Sequence, residues 1–308
     1  MQAKTKKVIA DIKALKVQGA RNIAKAALNS VIYEIKNSKE RSSNEFVREI
    51  SKTIEVLSKA RPTEPMLRNV MMAMQKYAVE NRRKDAKLLK SGMLVYCKRT
   101  LDEIDKNVEK LKDYGAKYIP DKATIMVHCH SSTVTGIIKK AVKMGKEVDV
   151  IACETRPRYQ GRITAEELAK AGIEVTFIVD GAMNFFAKKT DFALVGADAI
   201  TATGDLVNKI GTSTLAHIMR FHDKSFFSAT ETLKYDPLTQ YGVREHIEER
   251  DPAEVWKVKM KNLKIRNPAF DVTAAKYINA YITEQGIIPP QALIGVLEKE
   301  RNPQTFKI

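Results

Sequence analysis

Apolar and polar positions follow two different periods along the chain. In NEFVREISKTIEVLSKAR, the residues Phe46, Ile50, Ile54 and Leu57 recur at steps of four, four and three, which places them on one helix face. ALNSVIYEIKNS and LDEIDKNVEKLKDYG repeat this spacing, and Gly115 reads as the stop of the latter helix. From about Lys117 the texture changes. ATIMVHC, EVDVIAC, IEVTFIVD, FALVGAD and KSFFSAT are short β-rich runs, separated by TVTGIIKKAVKMGK, TAEELAKAG, AMNFFAKK and TSTLAHIMRFH, which have helical spacing. Such alternation predicts parallel strands with helices on both faces. The expected architecture is α/β: a helical N-terminal domain over residues 1–116, then a Rossmann-like parallel-sheet domain over 117–308 that carries the ligand site. Within TAEELAKAG, Thr164 with Glu167 three residues later reads as a capping box, and Gly172 as the helix stop.

Ligands bind such sheets at the carboxyl ends of the strands. The residues that follow the β-rich runs are Cys129-His130-Ser131-Ser132, Glu154-Thr155-Arg156-Pro157, Asp180-Gly181, Gly196-Ala197-Asp198 and Thr230-Glu231-Thr232. Taken singly, each also has a plain structural reading, since polar residues at strand ends cap helices or meet water. Together they put a thiol, carboxylates and hydroxyls on one rim. Asn208, Lys209 and Gly211 lead into a helix whose free N–H groups suit an anion. Neither GxxxxGK[ST] nor GxGxxG occurs, which weighs against nucleotide-driven phosphoryl transfer and nicotinamide chemistry. No G-x-S-x-G elbow is present for a serine hydrolase. On an extended strand His128 and His130 point to one side and Cys129 to the other, so these three do not converge on one metal. The better reading makes Cys129 a base or nucleophile, its thiol pKa lowered by helix N–H groups and nearby cations, with Asp198 as the partner acid.

Charge adds a second asymmetry. Lys and Arg outnumber Asp and Glu by 27 to 14 up to Pro120, and by 26 to 23 in the remainder. A nucleic acid or an acidic protein would suit this basic first third. Its densest piece, NRRKDAKLLK, has no interleaved aromatics and reads as a solvated helix face. The three cysteines, Cys97, Cys129 and Cys153, form no C-x-x-C pair and are expected to be free thiols. With no long apolar run and no signal-peptide pattern, the expectation is a cytoplasmic chain that contacts no membrane.

ETRPRYQGR, VGADAITATGDLVNKIGT, NPAFDVT and ITEQGIIPP occur in this order over nearly the whole chain. In this the chain resembles the family that joins the alpha, beta and delta subunits of translation initiation factor 2B to two sugar-phosphate isomerases, methylthioribose-1-phosphate isomerase and ribose-1,5-bisphosphate isomerase. The resemblance implies a helical domain followed by a Rossmann-like one. It also implies Cys129 in HCHS and Asp198 in VGADAI as the catalytic pair of an aldose-ketose isomerase. HCHS looks like the ribose-1,5-bisphosphate branch, whereas the methylthioribose branch has asparagine and threonine after the cysteine. Matching by motif gives Gly19, Ala20, Arg21, Arg61, Ser131, Ser132, Asn208, Lys209 and Lys234 as substrate-binding residues. Two motifs depart from the pattern: Gln18-Gly19-Ala20-Arg21 replaces a sequence close to RGAG, and RPTEP replaces RPTA. Further implications are a sugar bisphosphate substrate, an archaeal route of AMP metabolism, a homodimer or homohexamer, and no metal or other cofactor beyond AMP as an activator. The alternative is a non-catalytic regulatory subunit that partners translation initiation factor 2.

Overall fold

The computed structural model describes residues 1–241, 245 and 247–301, so the last part of the expected second domain, 302–308, lies outside the described residues. The chain divides into two compact units, Met1–Asn107 and Val108–Ile308. The first is helical: α1 (Ala3–Lys13), α2 (Ala20–Asn37), α3 (Ser43–Ser58), α4 (Pro65–Glu80) and the start of α5 (Ala86–Tyr118). The stripe read from the sequence is its core face, since Phe46, Ile50, Ile54 and Leu57 of α3 are all buried. They pack toward α4, whose Met66, Leu67, Val70, Met71 and Met74 are buried with Leu28 and Val31 of α2. Pro65 starts α4 at a position where its missing N–H costs nothing. In NRRKDAKLLK, Arg82, Arg83, Lys84 and Lys87 face solvent while Ala86 and Leu89 face the core. The piece is solvated as the sequence suggested, but only Ala86–Lys90 is helical; Arg82, Arg83 and Lys84 lie in the turn between α4 and α5.

The second unit alternates as predicted: β1 (Ala123–Val127), α6 (Ser132–Lys143), β2 (Val148–Cys153), α7 (Gln160–Lys170), β3 (Glu174–Ile178), α8 (Met183–Ala187) and β4 (Phe192–Val195). It continues through β5 (Ala199–Ile200), β6 (Leu206–Lys209), α9 (Thr212–Phe221), β7 (Ser225–Ala229), β8 (Phe270–Thr273), β9 (Ala280–Thr283), β10 (Gly286–Ile288) and α10 (Pro290–Arg301). The main sheet has seven strands in the order β10-β9-β7-β4-β1-β2-β3. All neighbours are parallel except the β9–β10 hairpin. One face carries Val127, Ala152 and Leu194 against Ile137 and Leu168 of α6 and α7. The other carries Met126, Cys153 and Val195 against Leu215, Met219 and Leu293 of α9 and α10.

Several local expectations are overturned for physical reasons. Gly115 does not end its helix, because α5 runs on to Tyr118. A Cβ there would come within 2.7 Å of Ile137, so the glycine lets α5 and α6 approach closely. Thr164 is no N-cap, since α7 begins earlier, at Gln160, and Thr164 turns its hydroxyl to the carbonyl of Cys129. Gly172, with φ +79, does follow the end of that helix. Asn208 and Lys209 lie on β6, in a small antiparallel sheet β5-β6-β8 that the sequence pattern did not announce. The stretch KYINAYITEQGIIPP forms β9 and β10, with Tyr281, Ile282 and Ile288 buried.

Candidate active site

Strand order changes direction between β1 and β4: the chain proceeds from β1 to β2 and β3 on one side and from β4 to β7 and β9 on the other. Loops leaving these two strands at their carboxyl ends diverge and leave a crevice, the usual ligand position in such sheets. Cys129 lies just beyond β1, and Asp198 just beyond β4. The two loops touch, since a Cβ on Gly196 would stand 2.9 Å from Ser131 Cβ and Oγ. A glycine is needed there for the loops to meet.

Cys129 has a left-handed backbone, φ +67, a conformation that costs a non-glycine residue energy and persists only when its surroundings impose it. They do so through hydrogen bonds on both sides of the residue. Its N–H donates to Thr155 Oγ1 at 2.8 Å, and its carbonyl accepts from Thr164 Oγ1 at 3.0 Å. Because the Thr164 proton is so used, His130 Nδ1, 3.1 Å from Thr164 Oγ1, must be the donor of that contact. His130 thus braces the cysteine loop, and burial holds its pKa below the usual histidine value. Ser131 caps α6, its hydroxyl accepting from Val134 N–H, and Ser132 opens the helix.

The thiol itself departs from expectation. Burial pushes it up to about 11, and the Asp198 carboxylate adds to the rise, while Lys209, the His130 N–H and Arg250 pull the other way. The anticipated cation is present as Lys209, and the N–H that acts with it is that of His130, ahead of α6 and not a helix N–H; desolvation outweighs both. So raised, the Cys129 thiol is neutral near pH 7. Lys209 is buried and its pKa is lowered, first by desolvation; Cys129, Asp198 and Glu248 act to raise it and Arg250 to lower it. Its Nζ sits over the Phe270 ring, 5.0 Å from the centroid. Asn208 is also buried, with Nδ2 donating to Thr212 Oγ1 at 3.1 Å. Lys234 donates to the carbonyl of Ala197, next to Asp198, at 2.9 Å, and pairs with Glu231 at 3.2 Å. The second unit therefore gathers Cys129, Ser131, Asp198, Lys209 and Lys234 around the switch point.

Arg250 and Glu248 belong to the same electrostatic neighbourhood and were not anticipated. They pair at 3.6 Å, and both are felt at Lys209. Their sequence context, a run of charges in REHIEERD, carries no motif that would have marked them.

Gly19, Ala20, Arg21 and Arg61 belong to the first unit. Gly19, with φ +84, is the residue before α2, and Ala20 and Arg21 are its first two residues. QGAR is thus a turn running into a helix start. Arg61 is buried and stands 3.5 Å from Glu64, the residue by which RPTEP departs from the family pattern. That departure supplies a carboxylate to a guanidinium otherwise suited to a phosphate.

The N-terminus of α9 is not a free anion site. Its N–H groups at Gly211 and Ser213 donate to the Asp271 carboxylate at 2.7 and 3.1 Å. Burial pushes the Asp271 carboxyl up to about 6, against those two hydrogen bonds. A carboxyl that holds its proton better folded than unfolded contributes most below its unfolded pKa, 3.8 here, and that contribution is lost as pH rises through the folded value. As pH rises from about 4 to 7 this group is expected to cost the wild type on the order of 3 kcal/mol of stability. In urea melts across that range, Asp271→Asn should show a flatter pH dependence; parallel curves for the two proteins would contradict this.

A thiol and a carboxylate thus lie at the switch point of a doubly wound, Rossmann-type sheet, with cations beside them. Residues 16–290 match the model of the Initiation factor 2 subunit family. The ribose 1,5-bisphosphate isomerase of Pyrococcus furiosus is 39% identical over 300 residues, 94% of this chain and 91% of that protein. A methylthioribose-1-phosphate isomerase of Heliobacterium modesticaldum is 36% identical over 298 residues, 92% of this chain and 86% of that protein. The crystal structure of the translation initiation factor eIF-2B of Pyrococcus horikoshii OT3 superposes with a TM-score of 0.79 at 31% identity, covering 96% of this chain and all of that one. The chain belongs to the Initiation factor 2 subunit family. Within it the chain is an enzyme of the sugar-phosphate isomerase class.

Proposed function

We propose that the protein converts ribose 1,5-bisphosphate to ribulose 1,5-bisphosphate, with Cys129 and Asp198 as the proton-transfer pair. The observation that carries this reading is their common place at the switch point, each loop held by hydrogen bonds, in a chain 39% identical to a ribose 1,5-bisphosphate isomerase. The chemistry closes on one proton shared by the pair. In the resting site the thiol is protonated; the reactive form has that proton on Asp198, leaving a thiolate and a carboxylic acid. Neutralising Asp198 removes a charge that opposes the thiolate, while Lys209 and Arg250 remain to stabilise it.

Asp198 then donates to the ring oxygen as the bond from C1 to that oxygen breaks, and Cys129 takes the proton from C2. The result is an enol that keeps phosphate on C1. Return of the proton from Cys129 to C1, with loss of the C2 hydroxyl proton to Asp198, yields the ketose and restores both groups. No atom is gained or lost and no electron acceptor is required. Lys209, Lys234, Asn208, Ser131 and Ser132 are the second unit's groups for the phosphates and hydroxyls.

Arg250, close enough to shift both Cys129 and Lys209, joins the phosphate-holding set. Arg250→Ala is expected to raise KM about 10- to 100-fold, the loss of a charged hydrogen bond, with a smaller change in kcat. An unchanged KM in initial-rate measurements would remove it from the site. Methylthioribose 1-phosphate is the second reading, favoured by the relative at 36% identity. Parallel rates with both sugars test the choice: ribose 1,5-bisphosphate should have the higher kcat/KM, and the reverse order would transfer the assignment.

A further inference from the structure

A second polar cluster lies on the opposite face of the same sheet edge. His128 directly follows β1, Cys153 ends β2, and Asp180 stands two residues past β3. The register pairs Val127 with Ala152 and Cys153 with Ile178, so side-chain alternation directs His128, Cys153 and Asp180 to one face. A ring nitrogen of His128, Cys153 Sγ and a carboxylate oxygen of Asp180 lie within 4.8 Å of one another.

His128 is only 3% exposed. Its Nε2 stands 2.8 Å from the carbonyl of Ile210, which can only accept, so Nε2 bears the hydrogen and Nδ1 a lone pair. Nδ1 is buried, has no hydrogen-bond partner, and faces Asp180 Oδ1 at 3.7 Å. Two acceptors aimed at each other repel. A cation between nitrogen and carboxylate, with sulfur as a further ligand, resolves the conflict.

We propose that His128 Nδ1, Cys153 Sγ and the Asp180 carboxylate bind a divalent transition metal ion of the zinc type. Nitrogen, sulfur and oxygen donors of this kind suit a four-coordinate ion with ligand bonds of about 2.0–2.3 Å, reached by movements of about 1 Å from the present spacing. A cleft of about 290 Å³ lined by His128, Asp180, Arg156, Ile210 and Gly211 opens onto the site and leaves room for water as the fourth ligand. The surroundings are those of metal ligands. The second imidazole nitrogen donates to a backbone carbonyl, and the carboxylate is held by the N–H groups of Thr155 and Arg156 at 2.9 and 2.7 Å. On binding, the thiol proton leaves to solvent as the metal–sulfur bond forms.

Such an ion would serve the neighbouring reaction without touching substrate. Asp180 holds the Thr155 N–H, and Thr155 Oγ1 receives the Cys129 N–H, so a metal at Asp180 would stiffen the loop that keeps Cys129 left-handed.

The test is cobalt titration of chelator-treated full-length protein, read by visible absorption and by metal analysis after dialysis. One cobalt ion per chain, with four-coordinate d–d bands and a sulfur-to-cobalt charge-transfer band, is expected. The charge-transfer band should vanish in Cys153→Ala and persist in Cys97→Ala and Cys129→Ala. If Cys153→Ala does not fold, the Cys97→Ala, Cys129→Ala double variant decides, because Cys153 is then the sole thiol. No stoichiometric cobalt in the wild type, or a spectrum without sulfur ligation, overturns the proposal and leaves the proton-transfer reading of Cys129 untouched.

Discussion

Replacing Cys129 by serine is expected to lower kcat for ribose 1,5-bisphosphate isomerisation by about 10³-fold, with KM changed far less. The size follows from the ordinary worth of a positioned acid–base group, about 10² to 10⁴ in rate. Serine keeps the volume and the backbone contacts, and its hydroxyl is far less acidic than even the raised thiol, so the transition state loses its base while the ground state keeps its contacts. The fold should survive, because what holds this loop is the N–H bond to Thr155 and the carbonyl bond from Thr164, and neither involves the sulfur. Initial-rate kinetics beside a thermal melt check both halves. A Cys129→Ser enzyme within about tenfold of wild type would mean that the thiol is not the base.

The second large effect is structural. Gly161→Ala is expected to destabilise the protein by about 3 kcal/mol and to abolish most activity. A Cβ on Gly161 would lie 1.7 Å from the carbonyl oxygen of Cys153 and 2.8 Å from its carbon. These are backbone atoms, so no rotamer change relieves the clash, and the start of α7 must retreat from the end of β2. Thr164, one turn along α7, would leave the carbonyl of Cys129, and the left-handed cysteine would lose one of its restraints. This also explains why ETRPRYQGR has its glycine there. Urea denaturation measures the loss; a midpoint equal to that of wild type would show that α7 is not wedged against β2.

The βαβ series was legible because β1, β2, β3, β4 and β7 are short β-rich runs bounded by polar residues, and period alone separates these runs from the helices; β9 and β10 gave no such signal. Cys129 and Asp198 could be placed at strand ends for the same reason. Less visible were features that depend on contact between distant segments. Gly115 reads as a helix stop in one dimension, and its role is set by Ile137 on another helix. Thr164 and Glu167 have the spacing of a capping box, yet α7 starts a turn earlier, and Glu167 pairs with Lys139 instead. The N-terminus of α9 looked ready for an anion because Asp271, which occupies it, lies 60 residues away. The thiol shows the same limit in energetic form: sequence supplies the nearby cations and a helix start, but not the burial that outweighs them.

The central claim is tested most directly by following wild-type protein and ribose 1,5-bisphosphate with phosphorus and carbon NMR, with and without AMP. Conversion to ribulose 1,5-bisphosphate, with both phosphates retained and a ketone carbon at C2, is the expected result. Folded protein that leaves the sugar bisphosphate unchanged in both conditions would contradict the account.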